Sequence, residues 1–182
     1  MFTTTQQITP AVWIGCLACY NAGALVGDWF DAIDADDVTL ADVHRGGGRS
    51  YAACEELWCL DTEGIPVSGE MSPMHAAEWG RCLDEVEDHL LPALCAWVRS
   101  GDYVAEGTGD LPSISDFDER YCGEWDSFDE YAHQLAEDIC LLDGVPEEIA
   151  RYFHWDSWTN DLHHDYTTEP APGGGVYVFR SL

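Results

Sequence analysis

The sequence predicts an α+β protein made of three small units: an α+β unit over residues 1–68, an all-helical unit over 69–108 and an α+β unit over 109–182. Three observations predict it. Compact apolar runs near both ends, AVWIGCL at 11–17 and VYVF at 176–179, have the length and composition of buried strands. Between them, Ser72-Pro73 opens a stretch whose apolar residues recur only at helical spacing. Breaks containing glycine or aspartate then separate the periodic segments, at Glu63-Gly64 and across 101–113. With 46% apolar and 12% aromatic residues, the chain can build cores of this size, which excludes wholesale disorder.

The elements follow in order. After the first strand, Asn21 is suited to cap a short helix from Ala22. Residues 28–37 mix strand-like alternation with five aspartates, 37–44 suit a short helix, and Gly46-Gly47-Gly48 marks a loop. Residues 57–60 (LWCL) read as a second strand. Ser at the N-cap and Pro at the first helical position start a helix carrying Trp79, Leu83, Val86 and Leu90 on one stripe. Pro92 interrupts it, and a further helix runs to about Ser100. Ser115-Asp116-Phe117-Asp118 and Ser127-Phe128-Asp129-Glu130 both resemble capping boxes. The second opens a helix with Phe128, Tyr131, Leu135 and Ile139 on one face. Val145-Pro146-Glu147-Glu148 starts another, with acids where the helix dipole favours them. Trp155, Trp158 and Leu162 continue an apolar stripe, and Gly173-Gly174-Gly175 turns into the last strand.

Charge narrows the function. The chain has 35 Asp plus Glu against seven Arg and no Lys, a net charge of −28. Self-repulsion on this scale weakens a compact state, so its retention needs a reason. Either the surface is adapted to high salt, or the partner carries a large basic cleft. A duplex bears about one charge per 1.7 Å, so 28 charges correspond to about 48 Å of DNA, or about 14 base pairs. Direct nucleic-acid binding is disfavoured, because no basic patch is present to neutralise phosphates.

The absence of Lys also excludes a Walker A loop, a pyridoxal Schiff base and a protein kinase site. No GxSxG or HExxH motif occurs. Among so many acids, a pair such as Asp36 and Asp37 carries no catalytic information. Cys16 and Cys19 form a CxxC that Cys54 and Cys59 could complete as a zinc set, but the second pair is spaced CxxxxC. His133 with Glu137, and His163-His164-Asp165, are further conceivable metal groups that lack a hydrolase spacing. The expectation is therefore no enzyme activity, no metal and no cofactor. The N-terminus lacks the basic and apolar regions of a signal peptide, and no apolar run of membrane length exists. The eight Cys then read as reduced thiols of a cytoplasmic protein.

Four segments, in order, carry a resemblance. Val12 through Tyr20-Asn21-Ala22-Gly23 to Gly27-Asp28-Trp29-Phe30-Asp31-Ala32 resembles the opening of ArdA-type antirestriction proteins. Tyr121-Cys122-Gly123-Glu124-Trp125-Asp126-Ser127 with Tyr131-Ala132 is similar to a later segment of that family. Residues 146–158, and Gly174 with 176–179, are similar to its closing segments. The resemblance implies an elongated chain of three small domains, typically dimeric and carried by plasmids, transposons or phages. It implies mimicry of bent B-form DNA and occupation of the DNA-binding cleft of type I restriction–modification enzymes. Two departures stand out. Cys16 and Cys19 replace small polar or acidic residues, and segment 36–56 has a Gly-rich interruption with fewer acids than the family pattern.

On this reading the surrogate phosphates are Asp28, Asp31, Asp34, Asp36 and Asp37, then Glu85 and Asp88. The C-terminal third adds Asp118, Glu119, Glu124, Asp126, Asp129, Glu130, Glu137, Asp138, Glu147 and Glu148. Tyr152, Phe153, Trp155 and Trp158 exceed what one small domain readily buries, which places a homodimer interface there. Two other readings compete: a salt-adapted acidic domain, and a zinc-stabilised interaction module.

Overall fold

A computed structural model describes residues 9–45, 52–105 and 109–181. Its strands form two antiparallel three-stranded sheets. In the first, β1 (Ala11–Cys16) lies between β2 (Gly27–Asp31) and β3 (Leu57–Glu63). In the second, β6 (Val176–Arg180) lies between β4 (Tyr121–Trp125) and β5 (Tyr166–Pro170). The helices are α1 (Leu17–Asn21), α2 (Leu40–Val43), α3 (Pro73–Asp84), α4 (Leu91–Ser100), α5 (Ile114–Arg120), α6 (Phe128–Asp138), α7 (Glu147–Ala150) and α8 (Trp155–Leu162). Two 3-10 helices, Ala32–Asp37 and His163–Asp165, join them. The fold is mixed helix and sheet, as the sequence predicts.

The chain divides into two compact units, which differs from the expected division at residues 68 and 108. The first takes the described residues up to Leu91 together with 109–114, and the second takes 92–105 and 115–181. The expected helical middle is shared out, with α3 in the first unit and nearly all of α4 in the second. Packing explains this: α3 lies on the 3-10 helix Ala32–Asp37, whereas α4 inserts Trp97 among Phe117 and Phe179.

In the first unit, Val12, Ile14 and Cys16 lie on one face of β1 and are fully buried, as period-two alternation requires. Ile14 pairs with Asp28 on one side and Cys59 on the other. Ser72 caps α3 by accepting the His75 N–H at 3.2 Å, with Pro73 at the first helical position. This helix buries Ala76, Ala77, Trp79, Gly80, Cys82 and Leu83. At Gly80 two stretches of backbone approach closely. A Cβ there would lie 2.4 Å from the Ile33 nitrogen and 2.6 Å from its Cα.

In the second unit, β6 is covered on both faces. Phe179 packs with Trp97, Phe117 and Tyr121, while Val178 on the other face packs with Phe128 and Tyr131. That double burial is why VYVF reads as a continuous apolar run. Residues Phe128, Tyr131, Ala132 and Ala136 of α6 are buried at helical spacing. Ile139 does not join them; it is 55% exposed. The helix ends before it, in a Schellman closure with Cys140 at φ 53°. The Leu141 N–H donates to the Ala136 carbonyl at 2.9 Å, and the Cys140 N–H to that of Glu137 at 3.0 Å.

Two other local expectations are corrected. Asn21 ends α1 instead of capping a later helix, and Gly23 at φ 77° turns the chain away. Helix α5 starts at Ile114, so Ser115 sits within its first turn and not at its cap. The triplet Gly46-Gly47-Gly48 lies outside the described residues.

Gly80→Ala tests the packing of α3. Ala normally favours a helix interior by about 1 kcal/mol over Gly. Overpacking against a backbone costs about 1–3 kcal/mol. The clash should win, and thermal denaturation should show a lower Tm; an unchanged or raised Tm would contradict the close approach.

Candidate functional site

The N-terminal acids stand on a tightly held ridge. In the 3-10 helix Ala32–Asp37, side chains three apart eclipse, so Ala32 and Ala35 face inward together and are fully buried. Asp34, Asp36 and Asp37 are thereby exposed, as are Asp28 and Asp31 of β2. The glycine at position 80 lets α3 approach this ridge, and Arg81 of α3 pairs with Asp36. Glu85 caps the C-terminal end of α3 and Asp88 follows it, both exposed.

The second unit carries the remaining candidates, and all are exposed: Asp118 and Glu119 on α5, Glu124 on β4, then Asp126. Asp129, Glu130, Glu137 and Asp138 lie on α6, and Glu147 and Glu148 in the first turn of α7. The start of α6 is fixed from both sides. Ser127 Oγ accepts the Glu130 N–H at 3.2 Å, while Glu130 Oε2 accepts the Asp126 N–H at 3.0 Å. The Glu side chain thus reaches one residue further back than in a standard capping box. Glu124, Asp126 and Glu130 line one open recess with Trp125 and Gly174. Gly175 closes the adjoining turn at φ 86°, where a Cβ would lie 2.3 Å from the Trp125 carbonyl oxygen. From Asp129 to Glu137 is eight helical residues, or about 12 Å along the axis.

Cations do little to offset this surface. Arg45 pairs with Asp42, Arg81 with Asp36 and Arg120 with Asp116, the last at 2.8 Å. Seven Arg against 35 acids leave most carboxylates uncompensated whatever the pairing.

The aromatic residues expected at an interface divide in two. Tyr152 is 80% exposed, next to the exposed Ile149. Phe153, Trp155 and Trp158 are half-buried and pack on one another, with ring centroids 4.8–6.2 Å apart.

Of the possible metal groups, the histidines near the aromatics are used in packing. His133 lies over Trp155 at 4.2 Å and His163 stacks on Phe128 at 3.7 Å between centroids. The thiols behave differently. Cys16 ends β1 and Cys19 lies in the first turn of α1. His44 follows α2, whose start is set by a capping box between Thr39 and Asp42. Cys54 lies shortly before β3. The ligand atoms of these four residues all lie within 4.8 Å of one another, and Cys19 Sγ is 3.9 Å from Cys54 Sγ. Burial acts to raise the Cys16 thiol, but the Cys19 backbone and hydrogen bonds with His44, Cys54 and Cys19 outweigh it, bringing it down to about 7. Its hydrogen bond with Cys16, together with desolvation, pushes the Cys54 thiol up to about 12. Cys59 is not part of the group; it is buried in β3 and bridged to Met71. The fourth member is a histidine, which a search for cysteine pairs overlooks. A CxxC followed by His and Cys was the available signal.

The model of the family described as antirestriction protein (ArdA) matches residues 12–177. No curated protein matches the chain significantly.

Proposed function

The chain belongs to the ArdA antirestriction family, and on that premise we propose that it blocks type I restriction–modification enzymes by occupying their DNA-binding cleft as a DNA mimic. The observation that carries this reading is the exposure of every candidate carboxylate, many of them on short elements with buried inner faces such as the 3-10 helix Ala32–Asp37, α5 and α6. A mimic needs no cleft of its own. It needs negative charge held at fixed positions, so that little ordering remains when the partner binds. Asp34, Asp36 and Asp37 meet that need through the buried alanines beneath them, and Glu130 through the cap of α6. The action is occupancy without turnover, in the cytoplasm where restriction enzymes meet incoming DNA. A surface adapted to salt would carry similar charge but would not account for the family match over residues 12–177.

Energetics favour many weak contacts over one strong one. An exposed ion pair contributes about 0.2–1 kcal/mol. Additional length would come from a second copy. The exposed Tyr152 and Ile149, with the aromatic group behind them, support a homodimer through the C-terminal third, which would extend the charged track.

Two outcomes are expected. A single neutralisation such as Asp129→Asn should weaken binding to a type I methyltransferase core by about fivefold or less, since 1.4 kcal/mol is tenfold. Neutralising Glu124, Asp126, Asp129, Glu130, Glu137 and Asp138 together should weaken it far more and flatten its salt dependence. One all-or-none carboxylate among silent neighbours would instead indicate a discrete site. Analytical ultracentrifugation should give a dimer at micromolar concentration that Tyr152→Glu dissociates; a monomer of the wild-type chain would contradict the dimer.

A further inference from the structure

We propose that Cys16, Cys19, His44 and Cys54 bind one zinc ion, which acts as a structural staple of the first unit. The proposal rests on where four donors from three separate stretches of chain converge. Tetrahedral zinc has Zn–S distances of about 2.3 Å and Zn–N distances of about 2.0–2.1 Å, so its donor atoms sit about 3.4–3.8 Å apart. The Cys19–Cys54 Sγ separation is 3.9 Å, and no donor pair in the group exceeds 4.8 Å. The cluster therefore needs only a small contraction to close on the ion.

The donor chemistry selects the metal. Three thiols and an imidazole suit zinc, whereas calcium and magnesium require oxygen donors. The chain has 35 carboxylates, yet none belongs to this group. Cys16 is fully buried and His44 is 5% exposed, with Cys19 and Cys54 half-buried. Four protein donors at a mostly buried position leave no open coordination place for substrate, which is the pattern of a structural site and not a catalytic one.

A disulfide accounts for less. An S–S bond is about 2.05 Å long, so Cys19 and Cys54 would have to move substantially. It would also use only two of the four donors that converge here. Zinc uses all four. It would tie the end of β1 and the start of α1 to the end of α2 and to the approach of β3. The direct backbone links here include Leu17 N–H to the Glu56 carbonyl at 3.1 Å and Cys16 N–H to that of Val26 at 2.9 Å. Small units with limited cores commonly gain stability from such a staple.

The test uses the full chain, purified with reductant, reconstituted with zinc and passed through dilute chelator. Elemental analysis should give one zinc per chain. Cobalt(II) in its place should give thiolate charge-transfer bands and the intense visible bands of tetrahedral coordination. Cys19→Ser and Cys54→Ser should each lose the metal, and so should His44→Ala. His44→Cys should retain it as a four-thiolate site, which separates loss of a ligand from loss of the fold. Cys140→Ser, at an exposed position outside the group, should bind like the wild type. Strong chelation should lower the Tm of the wild type but not that of Cys19→Ser. Substoichiometric zinc in the reconstituted wild type would overturn the proposal. So would full zinc content in Cys19→Ser and Cys54→Ser, or a Cys19–Cys54 disulfide that persists after reduction with no metal bound.

Discussion

Thirty-five carboxylates share this chain with seven guanidinium groups and no ammonium side chain, and the fold is arranged around that imbalance. Burying an unpaired carboxylate costs far more than a small core can supply, so the acids must lie outside. They also repel one another over a Debye length, about 8 Å at physiological salt. What remains for the interior is alanine, cysteine, the aliphatics valine, isoleucine and leucine, and a few large aromatics. Trp79 fills the first unit and Trp97, Phe117 and Phe179 the second, all fully buried. The elements around them are short, and their ends are fixed by local devices. Ser72 and Ser127 cap helices, Ala32 and Ala35 dock a 3-10 helix, and Gly80 allows α3 to press on its backbone. Charge is thereby held in place without being neutralised.

Legibility of the fold followed burial. The central strands β1 and β6 were readable as apolar runs because both are covered. The edge strands β4 and β5 were not foreseen. TTEP and CGEW lack alternation, and edge strands with one solvated side give weak patterns. The starts of α3 and α6 were readable from their serine caps, but the expected stripes ran too far: α3 ends at Asp84, before Val86 and Leu90, and α6 ends before Ile139. Ser115 and Asn21 offered a cap without a matching stripe, and there the structure departs from the expectation. The packing of Trp97 was not legible either, since its partners lie 20 and 82 residues downstream, beyond any local signal.

The candidate site divides similarly. That the acids are exposed was readable, because charged side chains are almost always outside. Which of them share a ridge was not, since it depends on Gly80 meeting Ile33 across the unit. The thiol group was half legible. The CxxC was visible, and Cys54 with it, but Cys59 is taken up by β3 and its bridge to Met71. His44 enters through the turn after α2, a position set by Thr39 and Asp42 and invisible to a comparison of cysteine spacings.

On the proposed reading, this held array of carboxylates stands in for phosphates in a DNA-binding cleft. The measurement that tests this most directly is a competition at low salt between a labelled duplex and this chain for one type I methyltransferase core. The chain should displace the duplex, and no complex should hold both. A ternary complex of core, duplex and chain would contradict it.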